Sequence, residues 1–224
     1  MNLLALMLPL LLAGAPQERP AEKPAGDKPD KGVEKDKKDN SDKEKADKDK
    51  KPEPEEKPVV TRHEVKIGAQ VLKYSVTTGL LPIKNEVGET EANIFFMAYV
   101  ADRTGGPDRR PLMFSFNGGP GSSSVWLHLG ALGPKRVKMQ EDGMMPSPPY
   151  KLVDNEHTWL DQTDLVFIDP VGTGYSRAAK PELGKKFWGL QGDLDSVGEF
   201  IRLYLTRYER WGSPLFLVGE SYGT

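Results

Sequence analysis

Gly219-Glu220-Ser221-Tyr222-Gly223 sets a serine between two glycines, directly after the apolar run Pro214-Leu215-Phe216-Leu217-Val218. A serine hydroxyl is a weak nucleophile until a turn presents it to a base and to hydrogen-bond donors. A buried strand feeding a sharp, strained turn does this at the end of a sheet, and the glycines let the following helix pack close. A second candidate, Asn117-Gly118-Gly119-Pro120-Gly121, stands directly after the apolar Leu112-Met113-Phe114-Ser115-Phe116. Acyl transfer builds negative charge on the carbonyl oxygen, and backbone N–H groups aimed at that point stabilise it. One such donor comes from an early strand-to-helix loop and the other from the residue after the nucleophile, here Gly119 and Tyr222. Either pentapeptide alone is also an ordinary tight turn. Both together, each after an apolar strand and in this order, point to a serine hydrolase.

Few other residues compete for chemistry. The chain has no cysteine, which excludes disulfides and thiolate metal sites within it. Its histidines, His63, His128 and His157, lack metal-ligand spacing, so no metal is expected. A net charge of −2 gives no pull toward nucleic acid.

The elements that position the two loops begin late in the chain. Leu3–Leu12 is an apolar run followed by Ala13-Gly14-Ala15, the pattern of a secretory signal over residues 1–15, and it is too short to span a bilayer. Export to the periplasm, cell envelope or extracellular space is therefore expected. Residues 16–58 carry 13 Lys/Arg and 14 Asp/Glu with almost no apolar content. Such a stretch cannot offset its ordering entropy by burial and reads as a disordered linker. A folded domain is expected over 59–224. A hairpin is predicted around Gly68-Ala69-Gln70, and strands over Asn93–Val100, Leu112–Phe116, Leu165–Asp169 and Leu215–Val218. Continuous apolar strands suit a sheet covered on both faces. Leu194, Val197, Ile201, Tyr204, Leu205 and Tyr208 recur at helical spacing, with Asp193 and Asp195 at the start and Gly212 and Pro214 past the end. Strand, helix and strand in that order predict a parallel βαβ unit.

From Leu112 onward the motifs resemble the serine carboxypeptidase family. They are Phe116-Asn117-Gly118-Gly119-Pro120-Gly121-Ser122-Ser123-Ser124, Leu132-Gly133-Pro134, Asn155 to Trp159, Phe167-Ile168-Asp169-Pro170-Val171-Gly172-Thr173-Gly174-Tyr175-Ser176, and the pentapeptide around Ser221. The resemblance implies an α/β-hydrolase fold, of which this chain would be the N-terminal part up to the nucleophile turn. It also implies a Ser, Asp, His triad without cofactor, and release of single residues from peptide C-termini. Ser221 matches the nucleophile, and Gly119 and Tyr222 the oxyanion amides. Asn117 and Glu220 match the positions that bind the substrate carboxylate, and Gly118 is expected to bind substrate with them. An ionised Glu220 would repel that carboxylate; a shared proton removes the repulsion, so activity should favour acidic pH. Three positions depart from the family: Ser115 stands where Trp is frequent, Gly130-Ala131 where a further carboxylate-binding Glu falls, and Ser122 where many members have cysteine.

Other readings stay open at this point. Gly172-Thr173-Gly174 after a strand is half of a dinucleotide fingerprint, but position 177 is Arg and Pro181 discourages a helix beyond it. A different secreted α/β-hydrolase, an esterase or aminopeptidase, shares the nucleophile turn. No His or Asp follows Ser221, although the fold's order is Ser, Asp, His, so this chain by itself is expected to be inactive, as a piece of a longer protein or a non-catalytic remnant.

Overall fold

The computed structural model describes residues 57–102 and 109–224. The expected signal, and the charged linker apart from Lys57 and Pro58, lie outside the described residues.

Strand β1 (Val59–Ile67) turns at Gly68-Ala69 into β2 (Gln70–Lys84), as the sequence predicts, with Ile67 opposite Gln70. A two-residue hairpin turn needs a left-handed residue, and Gly68 supplies it at φ +58°. β3 (Thr90–Ala101) pairs antiparallel with β2. Next come β4 (Leu112–Phe116), a single α-turn α1 (Val125–Leu127) running into a π-turn (His128–Leu132), and a small hairpin of β5 (Lys135–Val137) and β6 (Leu152–Asp154). β7 (Asp164–Ile168), β8 (Arg177–Ala178), helix α2 (Leu190–Arg207) and β9 (Leu215–Gly219) complete the chain.

The main sheet has the order β1-β2-β3-β7-β4-β9, with β8 on β3. Its first part is antiparallel; β7, β4 and β9 run parallel. The predicted βαβ unit is therefore present, with β4 lying between its two strands. Chain order and sheet order differ so that the ends of β4 and β9, the two strands feeding the candidate loops, are neighbours.

Two apolar layers cover the sheet. On one face Ile94, Phe96, Phe114 and Ile168 meet Phe200, Tyr204 and Leu205 of α2. On the other, Tyr74, Tyr99, Met113, Leu165 and Phe167 pack with Leu132 and Leu160. β4 and β7 are buried almost throughout, as their continuous apolar runs require.

Two expectations are corrected. α2 begins at Leu190, a turn before Asp193, and Leu194 is 59% exposed while Phe200 is fully buried. The helix is rotated toward Phe96, whose ring lies 5.6 Å from Phe200 and 5.7 Å from Tyr204, edge-on to both. Those aromatic contacts outweigh burial of a single leucine. β9 is not buried like its apolar relatives β4 and β7: among the described residues it pairs only with β4 and its residues are exposed or half-exposed.

Candidate active site

β4 and β9 pair from Leu112↔Leu215 to Phe116↔Gly219, so the loops leaving them start side by side. β9 ends in a one-turn 3₁₀ segment, Ser221–Gly223, and Ser221 sits at φ +57°. A non-glycine residue there is strained and persists only where its surroundings impose it. Here the imposing contacts are visible. A Cβ on Gly219 would lie 1.8 Å from the Gly223 carbonyl oxygen, and one on Gly223 would lie 2.9 Å from that of Phe116. The turn closes so tightly on its own strand and on β4 that both flanking positions must lack a side chain. Ser221 itself is exposed at the tip.

The Asn117–Gly121 loop touches this turn directly. A Cβ on Gly118 would meet the Tyr222 nitrogen at 2.4 Å, the Glu220 oxygen at 2.5 Å and Ser221 Cβ at 3.0 Å. Gly118 is thus the glycine in contact with Ser221 and Tyr222. Gly119 lies one residue further along, at φ +118°, where the loop turns back. Asn117 Nδ2 donates to Glu220 Oε2 at 3.4 Å, and Asn117 Oδ1 accepts from the Leu127 N–H at 3.1 Å. The second bond decides which end of the amide faces Glu220. Asn117, Gly118, Glu220, Ser221 and Tyr222 therefore form one cluster, although about 100 residues separate its two halves.

A clamp that sequence reasoning did not identify locks the glycine loop from behind. Buried Asp169, at the end of β7, accepts from the Ser124 N–H at 2.9 Å and the Tyr175 N–H at 3.3 Å. The Ser124 hydroxyl donates to the Ile168 carbonyl oxygen. The Ser176 hydroxyl donates to the Asp169 carbonyl at 2.6 Å and accepts from the Phe95 N–H at 2.8 Å. The signal was present in the sequence, since these residues belong to two of its motifs, but spacing alone does not reveal that the motifs interlock. The Gly172-Thr173-Gly174 loop leads into β8 and not into a helix, which removes the dinucleotide reading. Ser115, where a tryptophan is frequent, is fully buried and its hydroxyl has no hydrogen-bond partner among the described residues.

Beside the turn lies a cavity of about 910 Å³, lined by Asn117, Gly118, Tyr222, Trp188, Asp193 and Leu194 among others. Its wall is shared by α2, β9, the glycine loop and residues 170–173, and Ser221 is not among the lining residues. It flanks the serine turn. Within it the Tyr222 hydroxyl donates to Asp193 Oδ2 at 3.0 Å. Burial pushes the Asp193 carboxyl above the usual carboxylate range, a shift the Tyr222 hydroxyl partly opposes.

No histidine is bonded to Ser221. His63 pairs with Thr61, His128 with Tyr99, and His157 lies beside Glu156. Among the described residues no group of three or more His, Asp or Glu could hold a metal ion, and no helix is long and apolar enough to cross a membrane.

Comparison with known proteins gives a consistent result. The family model for serine carboxypeptidases matches residues 68–224. Serine carboxypeptidase-like 13 of Arabidopsis thaliana is 28% identical over 173 residues, 73% of this chain and 38% of the relative. The pheromone-processing carboxypeptidase KEX1 of Saccharomyces cerevisiae is 34% identical over 158 residues, 64% of this chain and 20% of the relative. Among solved structures, Kex1(delta)p, a prohormone-processing carboxypeptidase from the same yeast, superposes with a TM-score of 0.53 at 30% identity, covering 66% of this chain and 31% of that one. The chain spans less than two fifths of the length of each of these relatives.

Proposed function

The chain belongs to the serine carboxypeptidase family and has its α/β-hydrolase fold, and from that premise we propose that the whole protein is a serine-type carboxypeptidase acting through Ser221. The Ser221 hydroxyl oxygen attacks the carbonyl carbon of the last peptide bond, its proton passing to a histidine base supplied by the rest of the protein. The C–N bond breaks, the C-terminal residue leaves as the protonated amine, and water then hydrolyses the acyl-serine. The Gly119 and Tyr222 amides stabilise the oxyanion, and Asn117 with Glu220 receives the substrate carboxylate. No metal or organic cofactor is required for these steps. Peptides or proteins are the substrates, and the apolar N-terminal run directs the protein out of the cytoplasm.

One observation carries this reading: Ser221 is held at φ +57° with the Gly118 backbone packed against both it and Tyr222. Strain of that kind at a strand end, shared with a glycine loop, serves nucleophile presentation better than simple chain reversal. A second reading, another acyl hydrolase, is favoured by Ser115 and Gly130-Ala131, which thin the carboxylate-binding set to Asn117, Gly118 and Glu220.

The test compares an N-blocked dipeptide with its C-terminal amide, using the whole protein as wild type, Ser221→Ala and Glu220→Gln across pH 4–8. The expected result is release of the free C-terminal residue, strongest at acid pH and abolished by Ser221→Ala. The amide should be cleaved at least about tenfold more slowly, the loss expected when a buried group is left unpaired. Glu220→Gln should flatten the acid preference. Equal rates on acid and amide would favour the second reading.

A further inference from the structure

Asp193, bonded to the residue that follows Ser221, has no use in the proposed chemistry. It stands in the first turn of α2, in a cavity wall otherwise built largely from apolar groups such as Leu190, Leu194 and Val197. Its Oδ2 accepts the Tyr222 hydroxyl at 3.0 Å. Tyr222 is the residue immediately after Ser221, and its backbone nitrogen lies against Gly118. We propose that Asp193 is a positioning residue that, by accepting the Tyr222 hydroxyl, fixes the orientation of the Tyr222 main-chain N–H toward the oxyanion. The inference rests on the reading that Ser221 and that N–H act together.

The turn that carries the Tyr222 amide supplies only local bonds: the Gly223 N–H to the Glu220 carbonyl at 2.9 Å, and the Thr224 N–H and hydroxyl to the Ser221 carbonyl at 3.1 and 2.6 Å. These close the turn but leave it free to pivot about the end of β9. Gly118 blocks pivoting toward β4, because the backbones already touch. Nothing else in the turn reaches α2 by hydrogen bond among the described residues. The tyrosine side chain, a rigid lever with two rotatable bonds, spans that gap and is pinned at its far end. α2 is itself anchored to the sheet by Phe200, Tyr204 and Leu205. The turn is thus fixed on two sides, by β4 through Gly118 and by α2 through Asp193. Oxyanion donors must lie within a few tenths of an ångström of their target to act, so a tether of this kind affects rate and not binding.

An acid in a helix's first turn also favours the helix dipole, and that ordinary role predicts a different outcome. A dipole role does not depend on Tyr222, so effects of changing the two residues would add. A tether gives non-additive effects, because losing either end loses the whole bond.

The experiment measures the rate at which a fluorophosphonate modifies Ser221 in the whole protein, together with kcat and KM for an N-blocked dipeptide. Asp193→Leu and Tyr222→Phe should each slow modification by about tenfold, the order expected for a modest misplacement of a donor. kcat should fall and KM stay within twofold. The double variant should be no slower than either single one. Asp193→Asn, which keeps an acceptor oxygen, should lose less than Asp193→Leu. Wild-type rates in both single variants, or multiplying losses in the double, overturn the tether. Should Asp193→Leu not fold, Tyr222→Phe with Asp193→Asn carries the same comparison. A wild-type protein that the probe does not label, or labelling unchanged by Ser221→Ala, instead sinks the serine-hydrolase reading beneath it.

Discussion

His128 shows how a residue outside the chemistry can limit the conditions under which the site exists. It is buried, shares a hydrogen bond with the Tyr99 hydroxyl, and stacks on Phe167 with ring centroids 4.4 Å apart. Burial lowers its pKa from 6.5 to about 4, and the same burial pushes the Tyr99 hydroxyl upward, so the pair stays neutral through the ordinary range. As pH falls below 6.5 the unfolded chain takes up a proton on this residue that the folded chain refuses until about 4. The unfolded state then binds more protons, and stability drops with falling pH, by up to about 1.4 kcal/mol per unit. Acid conditions thus work against the stability of this layer. Replacing both partners, His128→Phe with Tyr99→Phe, removes the titration without leaving an unpaired hydroxyl. Urea unfolding of this double variant and of wild type at several pH values between 4 and 7 should show the variant gaining steadily as pH falls. A difference that does not change with pH would dismiss the role.

Among the elements, the three parallel strands are held in register at their starts by a buried ion cluster. Asp164, the first residue of β7 and fully buried, accepts from Arg110 Nε at 2.7 Å, Arg210 Nη1 at 2.8 Å and the Ala101 N–H at 3.1 Å. Arg210 also donates to the Arg110 carbonyl and the Ser213 hydroxyl, so the cluster ties β3, β7, the start of β4 and the α2–β9 connection together. Removing one partner of such a pair leaves charge buried without compensation, and Asp164→Asn should cost about 3–5 kcal/mol. The exposed pair Arg62–Asp102, at 3.6 Å, should contribute no more than about 1 kcal/mol, so Arg62→Ala serves as the control. Denaturant midpoints of the two variants check this; comparable small shifts would show that the cluster is not what sets the register. None of this was legible in the sequence, because Arg110, Asp164 and Arg210 are far apart and belong to no motif. What was legible were features with a local cause. The hairpin at Gly68, the apolar runs of β4 and β7, and the paired loops around Gly118 and Ser221 each carry their signal within a few residues. The rotation of α2 was not, since Leu194 and Phe200 both fit an apolar stripe and only the position of Phe96 decides between them.

At the scale of the described chain the two outer strands of the sheet, β1 and β9, differ in charge. β1 is an edge strand, and along it Arg62, Glu64 and Lys66 interrupt the apolar residues, the usual protection against pairing with another chain. β9 has no such charges. Leu215, Phe216 and Leu217 are 44%, 51% and 64% exposed, and Leu190 and Leu194 extend the apolar surface across α2. Among the described residues no strand pairs with the outer edge of β9, and an apolar strand edge of this kind is a template for association. The 224-residue chain by itself is therefore expected to self-associate through β9, at concentrations on the order of 10 μM. Sedimentation velocity over a concentration series measures this directly. Leu217→Lys, which puts a charge in the middle of the edge, should shift the distribution to monomer, whereas Val60→Lys on the already charged β1 should not. If the unaltered chain stays monomeric throughout the series, or if the β1 substitution is the one that disperses it, the exposed face of β9 is not the surface that drives association.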